Sequence, residues 1–173
     1  MNRATIRPGG KRDLPQVTEL WLELVRHHVG LDGRIPAVNE NGAEQWQMRL
    51  SKSLDDPTCR LYVAEAAGER KLVGFATGFL RYAADVFESQ VAGKIADVYV
   101  APGWRRRGVA RRMVSELTRW FRDQNANHIE MSLVTSNPEA VSFWQGVGAQ
   151  EYMMQMWLPL NWQDYESVRI END

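Results

Sequence analysis

The chain has 173 residues, 21 Lys and Arg against 22 Asp and Glu, and a formal net charge of −1. That balance argues against nucleic acid as a partner, because a phosphate backbone is met by an overall cationic surface. A single cysteine, Cys59, excludes a disulfide framework and fits a reducing cytoplasm, while the lack of a long apolar run or a signal-peptide core after Met1-Asn2-Arg3 argues against a membrane.

One domain spanning residues 1–173 is expected, long enough to bury a substantial core. Ala4–Arg7 reads as a first strand, and Asp13 with Pro15 reads as a helix start. Leu14, Val17, Leu20, Trp21, Leu24 and Val25 recur at helical spacing. Residues 30–42 read as a loop, and 43–54 as a second helix with Trp46 and Leu50 inward. Strands over 60–66 and 72–82 flank the turn Ala67-Gly68-Glu69-Arg70. An irregular segment over 83–93 precedes a strand over 95–100. A helix led by Met113, Val114, Leu117, Trp120 and Phe121 follows. A strand over 128–134, a helix over 139–147 and a last strand over 150–158 complete the order, before a polar tail over 161–173. Hairpins and crossovers alternate, so the class is α/β with mixed sheet pairing.

The most informative stretch lies between Val98 and Arg112. A β-branched run stops at Ala101-Pro102-Gly103, and a basic turn containing Gly108 leads into a helix. Free amides and the dipole at a helix N-terminus favour an anion. Gly108 lets a ligand approach the backbone. Arg105, Arg106, Arg107, Arg111 and Arg112 sit where acidic residues would be the stabilising choice, which points to bound phosphate.

The turn lacks the Lys-Ser/Thr ending of a nucleoside-triphosphate loop and is not Gly-x-Gly-x-x-Gly. Its Arg105-x-x-Gly108-x-Ala110, just after Val98-Tyr99-Val100, resembles the pyrophosphate loop of the GCN5-related N-acetyltransferase (GNAT) family. Downstream, Asn137-x-x-Ala140-x-x-Phe143-Trp144-x-x-x-Gly148 resembles that family's second element. The likeness is firm from about Ile95 to Ala149 and looser from Thr5 to Gly93. It implies a mostly antiparallel sheet, splayed between two neighbouring strands and flanked by helices. It also implies acetyl-CoA as co-substrate, with Val98, Tyr99, Val100, Arg105, Arg106, Arg107, Gly108, Val109, Ala110, Arg111, Asn137 and Phe143 at the cofactor. The pantetheine arm would lie in the splay, hydrogen-bonded to the backbone of Val98 and Val100.

The implied reaction is direct transfer of an acetyl group to the primary amine of a small molecule, such as a polyamine, an aminoglycoside or an amino-acid-like compound. It requires a base, an oxyanion donor and a proton for the leaving thiolate. Asp97 is the candidate base, since it interrupts an apolar strand one residue before the cofactor-binding step; a polar sheet edge or an ion pair is the competing account. Some diamine acetyltransferases carry Glu-Asp where this chain has Ala96-Asp97. Other members place a base where Lys94 stands, which is unsuited to that task. Trp144 replaces the family's usual tyrosine, and an indole has no accessible ionisation for proton transfer. Water, Tyr99 or Tyr152 would then supply the thiolate's proton.

Asn137 also reads as a helix N-cap, Phe143 as core and Gly148 as a helix stop. The adjacent His27 and His28 diverge by about 100° on a helix, and no ligand cluster completes a metal site. Asp32, Asp85 and Glu88 fall in the segments expected to rim the acceptor site. A homodimer is expected from the family and from the apolar strand Met153–Leu158. The rival function is a non-catalytic acyl-CoA-binding module, motivated by Trp144.

Overall fold

The computed structural model describes residues 3–84, 86, 88 and 90–158; Asp85 and the tail over 161–173 lie outside them. Five strands form one sheet in the order β1-β2-β3-β4-β5. They are β1 (Ala4–Pro8), β2 (Cys59–Ala66), β3 (Leu72–Tyr82), β4 (Val91–Val100) and β5 (His128–Glu130). The first four pair antiparallel, and β5 joins β4 in parallel. Helices α1 (Leu14–Leu31) and α2 (Gly42–Ser53) cover one face. Helices α3 (Val109–Asp123) and α4 (Pro138–Gly146) belong to the other. The sheet's period of two divides the core accordingly. Leu61, Val63 and Phe75 meet Leu14, Val17 and Leu24 of α1, whereas Ala64, Ala76 and Ile95 meet Met113, Leu117 and Phe121 of α3.

α3 seats on the sheet because two strand positions lack side chains. A Cβ on Gly93 would come within 2.5 Å of the Phe121 ring, and one on Gly78 within 2.7 Å. On the opposite face Trp21 and Trp46 stack with ring centroids 4.6 Å apart, and Trp46 meets Phe75 edge-on. Trp46 and Leu50 thus point inward, as their spacing predicts.

Asp13 does not cap α1 as expected. Its carboxylate is buried, accepts two hydrogen bonds from Arg7 at 2.9 and 2.8 Å, and accepts a third from the Gly10 amide. The guanidinium fork of Arg7, whose Nε also reaches Glu65, outcompetes the helix amides for the carboxylate. The Arg7 hydrogen bonds hold the Asp13 carboxyl below its ordinary range. A depressed carboxyl contributes stability above its unfolded value and loses it as pH falls. Asp13→Ala should therefore cost about 2 kcal/mol at pH 7, and the deficit should shrink in thermal melts toward pH 3.

Three boundaries differ from the sequence-based expectation. β4 begins at Val91, within the segment read as irregular. β5 ends at Glu130 rather than at residue 134, because its ladder stops at the pair Lys94–Glu130. Residues 150–158 form no regular structure, although a last strand was expected there. A three-residue β5 offers almost no ladder for another strand to join. Tyr152, Met153, Met154, Met156, Trp157 and Leu158 are all exposed. The strand that is one of the two grounds for the homodimer expectation is therefore not formed. Among the described residues, no helix is long and apolar enough to cross a membrane.

Candidate active site

The site follows from where β4 and β5 part. Past Lys94 the outer edge of β4 has no β5 partner, while the chain beyond β5 moves away through Met131–Val134. Between them lies a cavity of about 590 Å³. Ile95–Val100 form one wall, Met131–Val134 another, and the start of α3 lies at one end. Lys94, the last β4 residue paired with β5, ties the two segments where they part, its Nζ donating to Ser132 Oγ at 3.1 Å.

The turn into α3 is built by backbone conformation. Arg106 has φ of 61° and Gly108, the N-cap, has φ of 73°. The first amide to pair within the helix is that of Arg112, which donates to the Gly108 carbonyl. The amides of Val109, Ala110 and Arg111 precede it and are thus the orphan donors of a helix start. A Cβ on Gly108 would meet no protein atom within 4 Å, so the space before this turn is open to a ligand. This suits a phosphate group on both chemical and steric grounds.

The arginines divide their duties. Arg105 donates from Nε to the Val100 carbonyl at 3.0 Å, lies 5.7 Å from the Tyr99 ring centroid and stands 3.7 Å from Glu139. Arg111 donates to the Gly146 carbonyl at the end of α4, and Arg112 to the Ala4 carbonyl. Arg107 lies 5.7 Å from the Trp104 ring centroid and does not line the cavity. Arg106 is exposed and does line it, together with Gly108, Val109 and Ala110. The cluster is therefore partly structural.

Asp97 owes its position to a bulge. Thr77 pairs with Asp97 and Gly78 with Ile95, so Ala96 is the extra residue. Ile95 packs toward α3, and strict alternation would send Asp97 there too. The inserted residue turns Asp97 onto the α1 face with Tyr99. There its Oδ2 accepts a hydrogen bond of 2.9 Å from the buried Thr77 hydroxyl. Burial pushes the Asp97 carboxyl above its ordinary range, and the Thr77 hydrogen bond opposes that shift. Neither a lysine nor an arginine pairs with it among the described residues. Tyr99 donates its hydroxyl to Glu23 of α1 at 2.9 Å; burial, then that bond, raises its pKa and keeps it protonated.

The second motif forms as read. The Asn137 side chain accepts from the Ala140 amide and caps α4. Gly148, at φ of 95°, ends α4, with Gly148 donating to Gln145 and Ala149 to Trp144. Phe143 meets the buried Trp144 edge-on at 5.1 Å between centroids, and both line the cavity. Tyr152 is exposed and lies off the cavity.

Of the residues considered for the acceptor rim, Asp32 does not line the cavity and is held at about 2 by hydrogen bonds from Arg34. Leu24, His27 and His28 of α1 line the cavity instead, and burial lowers the pKa of His28. Sequence reasoning passed over Thr77, Glu23 and the 131–134 wall. A threonine inside the otherwise apolar run Leu72–Leu80 was the available signal for Thr77. Among the described residues no group of three or more His, Cys, Asp or Glu is placed to hold a metal ion.

Residues 22–149 match the model of the acetyltransferase (GNAT) family. A tetramutant of the BH1408 protein from Bacillus halodurans has the same fold, with a TM-score of 0.80 at 20% identity, over 90% of this chain and 99% of that one. The aminoglycoside N-acetyltransferase AAC(6')-Iy, solved in complex with CoA, superposes with a TM-score of 0.71 at 17% identity, over 93% and 97%. An acetyltransferase described as putative, from Pyrococcus furiosus, gives 0.71 at 20%, over 91% and 100%. No curated protein matches the sequence. The family match spans both motifs and the whole cleft, and the family draws its acetyl group from acetyl-CoA. The chain belongs to the GNAT family of acetyltransferases.

Proposed function

We propose that this protein transfers the acetyl group of acetyl-CoA to the primary amine of a small cationic molecule by direct attack on the thioester. The observation that carries the reading is the bare edge of β4 opening onto the orphan amides of α3. In this reading the amides of Val109, Ala110 and Arg111, with Arg106, receive the pyrophosphate. The edge of Val98–Val100 hydrogen-bonds the pantetheine and supplies the oxyanion donor. Asn137 and Phe143 bound the cofactor from α4, and Arg105 braces the turn through the Val100 carbonyl.

Asp97 accepts the proton of the attacking ammonium. Its raised pKa makes it a stronger base than an ordinary carboxylate, and no cation competes for it among the described residues. The leaving thiolate takes its proton from water or from Tyr99, the cavity's own tyrosine. Because AAC(6')-Iy has also been solved with the bisubstrate analogue CoA-S-monomethyl-acetylneamine, aminosugars belong in the first panel of amines.

Trp144 favours a second reading, an acyl-CoA-binding module without turnover. Thiol release from acetyl-CoA, followed with a disulfide reagent across polyamines, aminoglycosides and amino acids, separates the two. Turnover with at least one amine is expected. Tight CoA binding with no turnover on any amine would establish the module instead.

A further inference from the structure

Thr77 lies inside β3 with 4% of its surface exposed. A buried hydroxyl needs a partner, and its carboxylate acceptor is Asp97 Oδ2 at 2.9 Å across the β3–β4 ladder. The contact exists because the Ala96 bulge brings Asp97 into register with Thr77 on the α1 face. One carboxylate oxygen is thereby engaged, and Oδ1 is left for an incoming ammonium.

Resting on the reading of Asp97 as base, we propose that Thr77 is its positioning residue: the Thr77 hydroxyl holds Oδ2 so that Oδ1 presents its lone pairs to the acceptor amine. Valine has the same shape but no hydroxyl, so Thr77→Val removes the bond and leaves the packing close to native. The hydrogen bond favours the charged carboxylate, and burial disfavours it. Losing the bond therefore moves deprotonation of Asp97 to higher pH.

Other charged groups around the cavity must be accounted for. α1 contributes Glu23, held by Tyr99, together with His27 and His28. β4 contributes Tyr99, and Lys94, just outside the cavity, is held by Ser132. The cofactor end contributes Arg105, Arg106, Arg111 and Glu139. Of these, the histidines ordinarily titrate between pH 5 and 8, so the test needs a background that lacks them.

The test is the pH profile of kcat/KM for the amine, measured for the wild type, Thr77→Val, Thr77→Ser and Asp97→Asn, and repeated in a His27→Gln, His28→Gln background. Thr77→Val should move the acidic limb to higher pH in both backgrounds. Its alkaline plateau should fall about tenfold below wild type, because Oδ1 is no longer held toward the amine. Thr77→Ser should keep the native limb. A Thr77→Val profile superposing on wild type would overturn the role of Thr77 while leaving Asp97 as base. An acidic limb that survives in Asp97→Asn would overturn the base assignment itself. Should Thr77→Val not fold, Thr77→Ala makes the same comparison, because it also lacks the hydroxyl.

Discussion

Gly108→Trp is expected to weaken acetyl-CoA binding by at least about 100-fold, close to 3 kcal/mol, while the protein stays folded. The asymmetry comes from where the new side chain points. A Cβ at Gly108 meets no protein atom within 4 Å, so an indole enters the open space beside the turn rather than the core. The folded state bears only the strain of a non-glycine residue at φ of 73°, about 1–2 kcal/mol. Gly108→Ala carries the same strain without the bulk and separates the two effects. Titration calorimetry with acetyl-CoA, beside thermal melts, reads both quantities. Undiminished affinity in the Trp variant would mean that the pyrophosphate binds elsewhere.

Asp97→Asn is expected to lower kcat by about 10²–10⁴-fold with little change in the KM for acetyl-CoA. The same substitution should raise the melting temperature at pH 7–8. Burial raises the Asp97 carboxyl in the folded protein, so the native state holds its proton more tightly than the unfolded chain does. Stability attributable to this group is present below the unfolded value and is lost as pH rises through the folded one. Asparagine keeps a carbonyl for the Thr77 hydroxyl and carries no charge to desolvate. A loss of activity joined to a gain in stability marks a functional carboxylate. Full activity across pH, or a loss of stability at neutral pH, would contradict the assignment.

The parts of this site legible in the sequence are those set by local rules. The Gly108 turn, the Asn137 cap and the Gly148 stop each depend on a few adjacent residues, and each forms as its residue type requires. The resemblance carried the splayed sheet, and the early parting of β4 from β5 agrees with it. Features set by pairing between distant segments were hidden. Nothing in Ile95-Ala96-Asp97 announces a bulge, yet the extra residue decides which face Asp97 occupies. The apolar composition of residues 150–158 predicts a strand, but a strand needs a ladder, and β5 is too short to provide one. In sequence the arginine cluster reads as positive charge for phosphate, with Arg105, Arg106, Arg107 and Arg111 at the cofactor. Arg105, Arg111 and Arg112 each serve a backbone carbonyl, which no charge count could show.

The most direct measurement is a crystal structure of the protein with acetyl-CoA bound. The account predicts pyrophosphate oxygens within hydrogen-bonding distance of the amides of Val109, Ala110 and Arg111. It further predicts pantetheine along the free edge of β4 and the thioester beside Asp97. Acetyl-CoA bound outside the cleft between Ile95–Val100 and Met131–Val134, or seated there with Asp97 remote from its thioester, would contradict it.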